Sequence, residues 1–391
     1  MRLGFIINPV AGMGGKVGLK GTDGDALSLA VTKGAVPLAP AKAREALGEL
    51  LALKDRLTVL AAPGAMGAAL AEAMGFTTVA LGRDAAPRGV GATSRRDTRA
   101  AAAAIRKAGA DLVLFVGGDG TARDMLTAWT RETPGREARD GPPVLGAPAG
   151  VKMHSGVFAV SPRTAGALAR RFLTATGRQA MLRAVDIVDR PETENGGYSE
   201  PRVYGAMRAP CAPLATAPPK AAGRFDADDA VDGASLALKD RARRGEALII
   251  GPGAAMQAVK RRLGDPGTLL GVDVFKNGRL IVRDADSAAL MAVAVAGPAC
   301  ILVSPTGGQG FLFGRGNQQI DADVINTVGA RNVIVAAAAE KLLTLETGAL
   351  FVDTGDAALN AALSGYIRVI TAPKRRMMFR IVDPDAQLAA H

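Results

Sequence analysis

VGGDGTARDM, residues 116–125, follows directly on the apolar run DLVLF at 111–115. Glycines at 117, 118 and 120 let a chain leaving a strand turn sharply and bring its amides close to phosphate oxygens, while TARDMLTAW reads as the first turns of a helix with free N–H donors and a partial positive charge. That arrangement receives an anion, yet it carries a carboxylate in its middle. Asp119 has two chemical roles available, accepting a proton from an attacking hydroxyl or holding a Mg²⁺ that neutralises phosphates, and both belong to phosphoryl transfer. The plain alternative is a tight strand-to-helix turn in which Asp119 or Thr121 caps the helix. No G-x-x-x-x-G-K-[ST] occurs, which excludes a P-loop enzyme, and GDGTA does not satisfy G-x-G-x-x-G.

The surrounding sequence places this turn in a repeated pattern. LGFII (3–7), LTVLAA (57–62), TTVALG (77–82) and DLVLFVGG (111–118) are apolar at consecutive positions, as strands covered on both faces are. Helical segments alternate with them, such as AKAREALGELLAL and DTRAAAAAIRKAGA, the latter opened by Thr93 or Ser94 and closed by Gly109. The alternation predicts an α/β fold with a doubly wound parallel sheet, whose ligands bind beyond the carboxyl ends of the strands, where VGGDGT falls. After a polar stretch at 131–143 the character changes. RAVDIVD, PRVYGAMR and VDVFKNGRLIV read as strands, the last a hairpin about Asn277-Gly278, and residues 217–235 read as a loop or insertion. A second α/β block and two terminal strands follow. The expected division is 1–155 as an α/β nucleotide-binding domain, 156–365 as a β-rich α+β domain, and 366–391 as C-terminal strands.

Composition narrows the function classes. A net charge of +11 from 48 Lys and Arg against 37 Asp and Glu suits polyanions, but the basic residues are scattered in pairs such as Arg95-Arg96 and Arg261-Arg262, with little aromatic interleaving, which argues against nucleic acid. Two distant cysteines, Cys211 and Cys300, and two histidines give no metal-site spacing and read as buried free thiols in a reducing cytosol. The N-terminal apolar run is too short for a signal peptide, and the apolar stretch 288–303 is cut by Gly297-Pro298, so it reads as a helix followed by a buried strand. The expectation is a cytoplasmic protein whose partners are small-molecule nucleotides and, in a homo-oligomer, other copies of itself, with no nucleic acid and no membrane.

Four further segments carry chemistry. IINPVAGMGGKVGLKGTDGD at 6–25 ends the first strand in a glycine-rich loop, which convergence of neighbouring loops would bring to GGDGT with Asn8, Lys16 or Asp23. APAGVKMHSGVFAVSP at 147–162 offers Lys152, His154 and Ser155; without G-x-S-x-G, His154 reads as a hydrogen-bonding residue rather than a catalytic base. SPTGGQGFLFGRGNQQI at 304–320 combines Gly308 and Gln309 with Arg315, Asn317 and Gln318, amides and a guanidinium that suit ribose, adenine or phosphate. IGPGAAMQAV at 250–259 has a similar strand-turn-helix form, and VDTGDAAL at 352–359 reads equally as a functional loop or a helix cap.

In the motifs INPVAGMGG, LKGTDG, LFVGGDGTARD, PAGVKMHSGVFA, LLGVDV and GGQGFLFGRGNQQ, taken in that order, the chain resembles the NAD kinases, and more closely their ATP- or polyphosphate-dependent NAD kinase-like subgroup. The GGDG[ST] element alone is shared with lipid kinases and phosphofructokinases; the flanking motifs narrow it. The resemblance implies two domains with substrates bound between them, and transfer of a phosphoryl group from ATP or polyphosphate, with Mg²⁺, to the 2′-hydroxyl of the adenosine ribose of NAD. It makes Asp119 the catalytic base and puts Gly117, Gly118, Gly120 and Thr121 on the phosphates; the chain's own arginines, Arg123 or Arg315, are expected to offset charge. Two elements of the better-known members are missing, an Asn-Glu pair after GGDGT, in whose region VYGAMRAP lies, and a TPTGSTAY segment. A kinase of a lipid or another alcohol, and a nucleotide sensor without turnover, are the competing readings.

Overall fold

The computed structural model describes residues 1–14, 32, 35–82, 93–131, 141–150, 153–189, 202–211, 228–306, 310–345 and 347–386. The chain divides into two compact units, the first holding Met1–Met13 and Val36–Pro219 and the second Lys220–His391. In the first unit β1 (Arg2–Ile7), α1 (Ala39–Gly48), β2 (Thr58–Ala61), α2 (Ala68–Ala73), β3 (Thr77–Ala80), α3 (Arg95–Lys107), β4 (Leu112–Gly117), α4 (Asp119–Arg131), β5 (Val144–Pro148) and α5 (Pro162–Thr174) precede the antiparallel pair β6 (Leu182–Asp189) and β7 (Arg202–Pro210).

The five strands pair in parallel in the order β3-β2-β1-β4-β5. Alternate residues of each central strand serve opposite cores, which is why the apolar runs are unbroken. Leu3, Phe5 and Ile7 pack with Leu112, Leu114 and Val116 under Ala43 and Leu47 of α1 and Leu168 and Phe172 of α5. Ile6, Val113 and Phe115 face the other way, under Ile105 of α3 and Met125 and Trp129 of α4. The strand β3 departs from the sequence reading, because it ends the sheet and is paired on one side only; Thr77 and Val79 are exposed. Ser94 opens α3, donating from its amide (2.9 Å) and hydroxyl (2.7 Å) to Asp97, and Gly109 closes it at φ +73°. Chain order reverses between β1 and β4. Their carboxyl ends therefore flank the crevice in which a doubly wound sheet binds ligands.

The second unit contains α6 (Asp228–Arg243), β8 (Ala247–Ile250), α7 (Ala254–Arg262), β9 (Asp273–Lys276), β10 (Arg279–Val282), α8 (Ser287–Ala296), β11 (Ala299–Val303), β12 (Phe311–Phe313), α9 (Ala322–Val328), β13 (Val333–Ala336), α10 (Ala339–Leu343), β14 (Leu350–Val352), α11 (Ala357–Leu363), β15 (Gly365–Ala372) and β16 (Arg375–Val382). They form one mixed nine-stranded sheet, β10-β9-β8-β11-β13-β15-β16-β14-β12, with apolar clusters on both faces. The hairpin turns through Asn277 and Gly278, both at positive φ (52° and 73°), as a two-residue turn matching strand twist requires.

Residues 228–235, read as part of a loop for their small polar composition, instead begin α6. Their small size is what the helix needs. A Cβ on Gly233 would come within 2.6 Å of the Ala372 backbone, so α6 lies hard against β15. Asp356 settles VDTGDAAL as a helix cap, accepting from the amides of Ala358 (2.8 Å) and Leu359 (3.0 Å). Cys300 is fully buried, and burial pushes its thiol up to about 12; Cys211, expected buried, is half-buried just past the end of β7, the last strand of the two-stranded ribbon. Among those residues no helix is long and apolar enough to cross a membrane.

Candidate active site

Three strand ends meet at the crevice. Asn8, just past β1, donates its amide to Val116 O of β4 (2.9 Å), and beyond β5 the amides of Ala149 and Gly150 donate to Gly117 O (2.9 and 3.2 Å). The loop after β1 also presses on the loop after β5: Gly12 sits at φ +78°, and a Cβ there would lie 1.9 Å from Ala149 O. Gly12→Ala therefore combines a left-handed backbone with a main-chain collision, and a loss of about 2 kcal/mol or more is expected, read as a lowered urea midpoint. Unchanged stability would show that the two loops do not touch.

The glycines of GGDG serve different ends. A Cβ on Gly117 would fall 2.4 Å from Thr121 Oγ1, so Gly117 makes room for the threonine side chain, to which Asn8 Nδ2 donates (3.1 Å). Gly118 begins α4 by accepting from the amides of Thr121 (2.9 Å) and Ala122 (3.1 Å). Gly120 has no such packing duty. Among the described residues a Cβ there would meet only Arg95 Nη2, at 3.8 Å, although glycine within a helix costs about 0.5–1 kcal/mol relative to alanine. What the missing side chain leaves is access to the first amides of α4, which precede the helix's own ladder.

Asp119 is the first residue of α4 and caps nothing; its carboxylate turns toward the segment that follows β5. That segment leaves β5 and returns beside it, with Gly146 donating to Val157 O (2.8 Å) and accepting from Ala159 N–H (3.0 Å), and Phe158 meeting Phe115 edge-on at 5.4 Å. The return delivers three donors: His154 N–H to Oδ2 (2.6 Å), and Ser155 N–H (2.9 Å) and Oγ–H (2.7 Å) to Oδ1. A carboxylate has about four acceptor positions, so these described donors leave one, on Oδ2. Asp119 is only 5% exposed. Burial raises its pKa, the hydrogen bonds from Ser155 and His154 oppose the rise, and the charge of Asp189 adds to it, leaving the carboxyl at about 7. A general base is most effective at such a value near neutral pH.

One turn further along α4, Arg123 is already engaged, with Asp189 at the end of β6 (2.9 Å) and across the face of Tyr204 of β7 (5.2 Å), whose hydroxyl it reaches at 3.4 Å. Asp124 meets Arg99 of α3 (2.7 Å) and so clamps the two helices of that face. The expected residues Asn8, Gly117, Gly118, Asp119, Gly120, Thr121 and Arg123 thus gather at one sheet edge. Ser155, Asp189 and Tyr204 join them without having been assigned a place in the site by the sequence. The signal for Ser155 was its position, shortly after the strand that neighbours β4.

Arg315, Asn317 and Gln318 lie in the second unit beyond β12. Arg315 is buried over the Phe311 ring (4.4 Å), and Asn317 Nδ2 donates to Leu312 O (2.9 Å), so both hold the turn they belong to. Asp23, Lys152, Gly308 and Gln309 lie outside the described residues. Residues 3–177 match the ATP-NAD kinase N-terminal domain, and residues 244–381 match the ATP-NAD kinase C-terminal domain. No curated protein and no solved structure matched the chain. With one domain matched around Asp119 and its crevice and the other along the second sheet, the chain belongs to the NAD kinase family and is a phosphotransferase.

Proposed function

We propose that this enzyme transfers the terminal phosphoryl group of ATP, or of polyphosphate, to the 2′-hydroxyl of the adenosine ribose of NAD, giving NADP. The observation that carries the reading is the Asp119 carboxylate, buried, held by three donors with one acceptor position open on Oδ2, and set at the amino end of α4. The acceptor hydroxyl gives its proton to Oδ2 as its oxygen bonds to phosphorus. The bond from phosphorus to the bridging oxygen breaks, and the shortened donor leaves with that electron pair. The amides that open α4 and the small side of Gly120 face where negative charge gathers. Asn8 supports the loop through Thr121.

Among the described residues no three His, Cys, Asp or Glu side chains group to hold a metal, and the Asp119 oxygens are largely taken by N–H and O–H donors. On this reading Mg²⁺ enters the reaction as part of the donor, on phosphate oxygens and water. A cytoplasmic setting keeps both free thiols reduced.

Product analysis decides the substrates. The protein is incubated with Mg²⁺ and NAD, with ATP in one tube and polyphosphate in another, and NADP is expected in at least one. ATP consumed without NADP would move the acceptor to another alcohol, and bound nucleotide without turnover would favour a sensor.

A further inference from the structure

Ser155 lies between the proposed base and the end of β6. Its hydroxyl is 2.7 Å from Asp119 Oδ1, 2.9 Å from Val188 O, and accepts the Val188 amide at 3.1 Å. It is 1% exposed, so water does not substitute for any of these partners. One hydroxyl has one proton, so it serves Oδ1 or the Val188 carbonyl but not both. The choice depends on charge. A hydrogen bond to a carboxylate is roughly twice as strong as one between neutral groups, so the proton goes to Oδ1 while Asp119 is charged; once Oδ2 has been protonated, Oδ1 is a weaker acceptor and Val188 O competes.

We propose that Ser155 is a positioning residue for Asp119: its hydroxyl holds the carboxylate in the charged, proton-accepting form with Oδ2 left open, and turns its O–H to the Val188 carbonyl, the proton staying on Oγ, when Asp119 is protonated. This deepens the phosphoryl-transfer reading and rests on it. Apart from Asp119 Oδ1 and Val188 O, and apart from accepting the Val188 amide, the hydroxyl has no other partner among the described residues. The backbone at position 155 would hold Oδ1 equally well with alanine in place, whereas only the hydroxyl bonds both to the base and to β6.

Among the described residues, the other charges around Asp119 are as follows. Asp189 of β6 repels it but is paired with Arg123 of α4; Asp124 of α4 is paired with Arg99 of α3; Arg95 of α3 stands near Gly120; and His154 contributes its amide. None of these pairs involves Ser155.

The test reads the carboxyl directly and then the rate. Protein labelled with ¹³C at aspartate Cγ is titrated by NMR, with the Asp119 signal assigned by its loss in Asp119→Asn. Removing one charge-assisted bond in Ser155→Ala is expected to move the Asp119 titration up by about one pH unit, and Ser155→Cys, whose thiol donates weakly, to fall between the two. In turnover with ATP and NAD, kcat of Ser155→Ala falls about five- to tenfold at pH 7 with KM little changed, and recovers toward wild type by pH 9 as the carboxyl ionises. A purely structural role would lower the rate equally at every pH. Coincident titrations of wild type and Ser155→Ala, or a loss that does not vary with pH, would overturn the inference while leaving Asp119 as base. Full activity in Asp119→Asn would instead remove the reading on which the inference rests.

Discussion

Asp119→Asn is expected to lower kcat by roughly 10³-fold, within the 10²–10⁴ that a positioned general base contributes. The replacement is nearly isosteric, so the fold of α4 is kept. It removes the negative charge, however, and sets an NH₂ group against one of the donors that now point at the carboxylate: with the amide oxygen toward the Ser155 donors, Nδ2 faces His154 N–H, 2.6 Å from its present partner. The open position then carries a proton donor instead of an acceptor, and the acceptor hydroxyl has nowhere to send its proton. Nucleotide affinity should change little, since the glycine-loop amides remain. In the wild type, kcat/KM should rise with pH through about 7, because only the ionised carboxylate accepts a proton and burial, opposed by its hydrogen bonds, holds this one at that value. An asparagine variant that keeps more than a tenth of the activity, or an acid limb near the ordinary carboxylate range, would remove Asp119 from that role.

The second large effect lies away from the chemistry. Lys260 of α7 and Asp273 of β9 are both fully buried and meet at 2.7 Å. The ammonium is completely used, donating also to Thr268 O (2.9 Å) and Gly271 O (3.1 Å), and Asp273 accepts from Thr268 N–H (2.7 Å), Thr268 Oγ1 (2.9 Å) and Asp284 N–H (2.8 Å). Burial alone would push the Asp273 carboxyl up, but Lys260 and these donors outweigh it and hold it below the ordinary range. Lys260→Met leaves a buried carboxylate without its counter-charge and is expected to cost about 3–5 kcal/mol, on the order of 10 °C in the melting of the second unit. The sign with pH follows from the lowered pKa. The carboxylate's contribution is fully present above the unfolded value and is lost as pH falls through the folded one, so the wild type's advantage over the variant should shrink as the pH is lowered into strong acid. Equal urea midpoints at pH 7 would show that the pair contributes nothing net.

The central strands were readable because burial on both faces writes unbroken apolar runs, and Val116 to Thr121 were readable because a strand followed by glycine and a helix start has few other solutions. The asparagine-glycine hairpin was equally explicit, since few residues other than Asn and Gly accept its positive φ values readily. The start of α6 was not, because alanine, aspartate and glycine in succession look like a loop until β15 demands small residues against it. Ser155 was visible beside Lys152 and His154, but its role was hidden for another reason: its hydroxyl acts through a chain return that pairs residues 36 positions apart, and no local spacing records such a contact. Arg123 was visible as a cation near phosphates, but the partner that engages it, Asp189, stands 66 positions further along the chain.

Two of the three bonds that hold Asp119 come from main-chain amides, those of His154 and Ser155. The base is therefore fixed by the path of the loop rather than by its lettering. Many side chains could stand at position 154 and the amide would still arrive at Oδ2. One residue inserted or deleted between Ala149 and Gly156 would put the wrong amide there. A substitution at position 154 is therefore expected to leave the base in place, whereas a change in the segment's length is expected to take the His154 amide away from a carboxylate that stands on a helix.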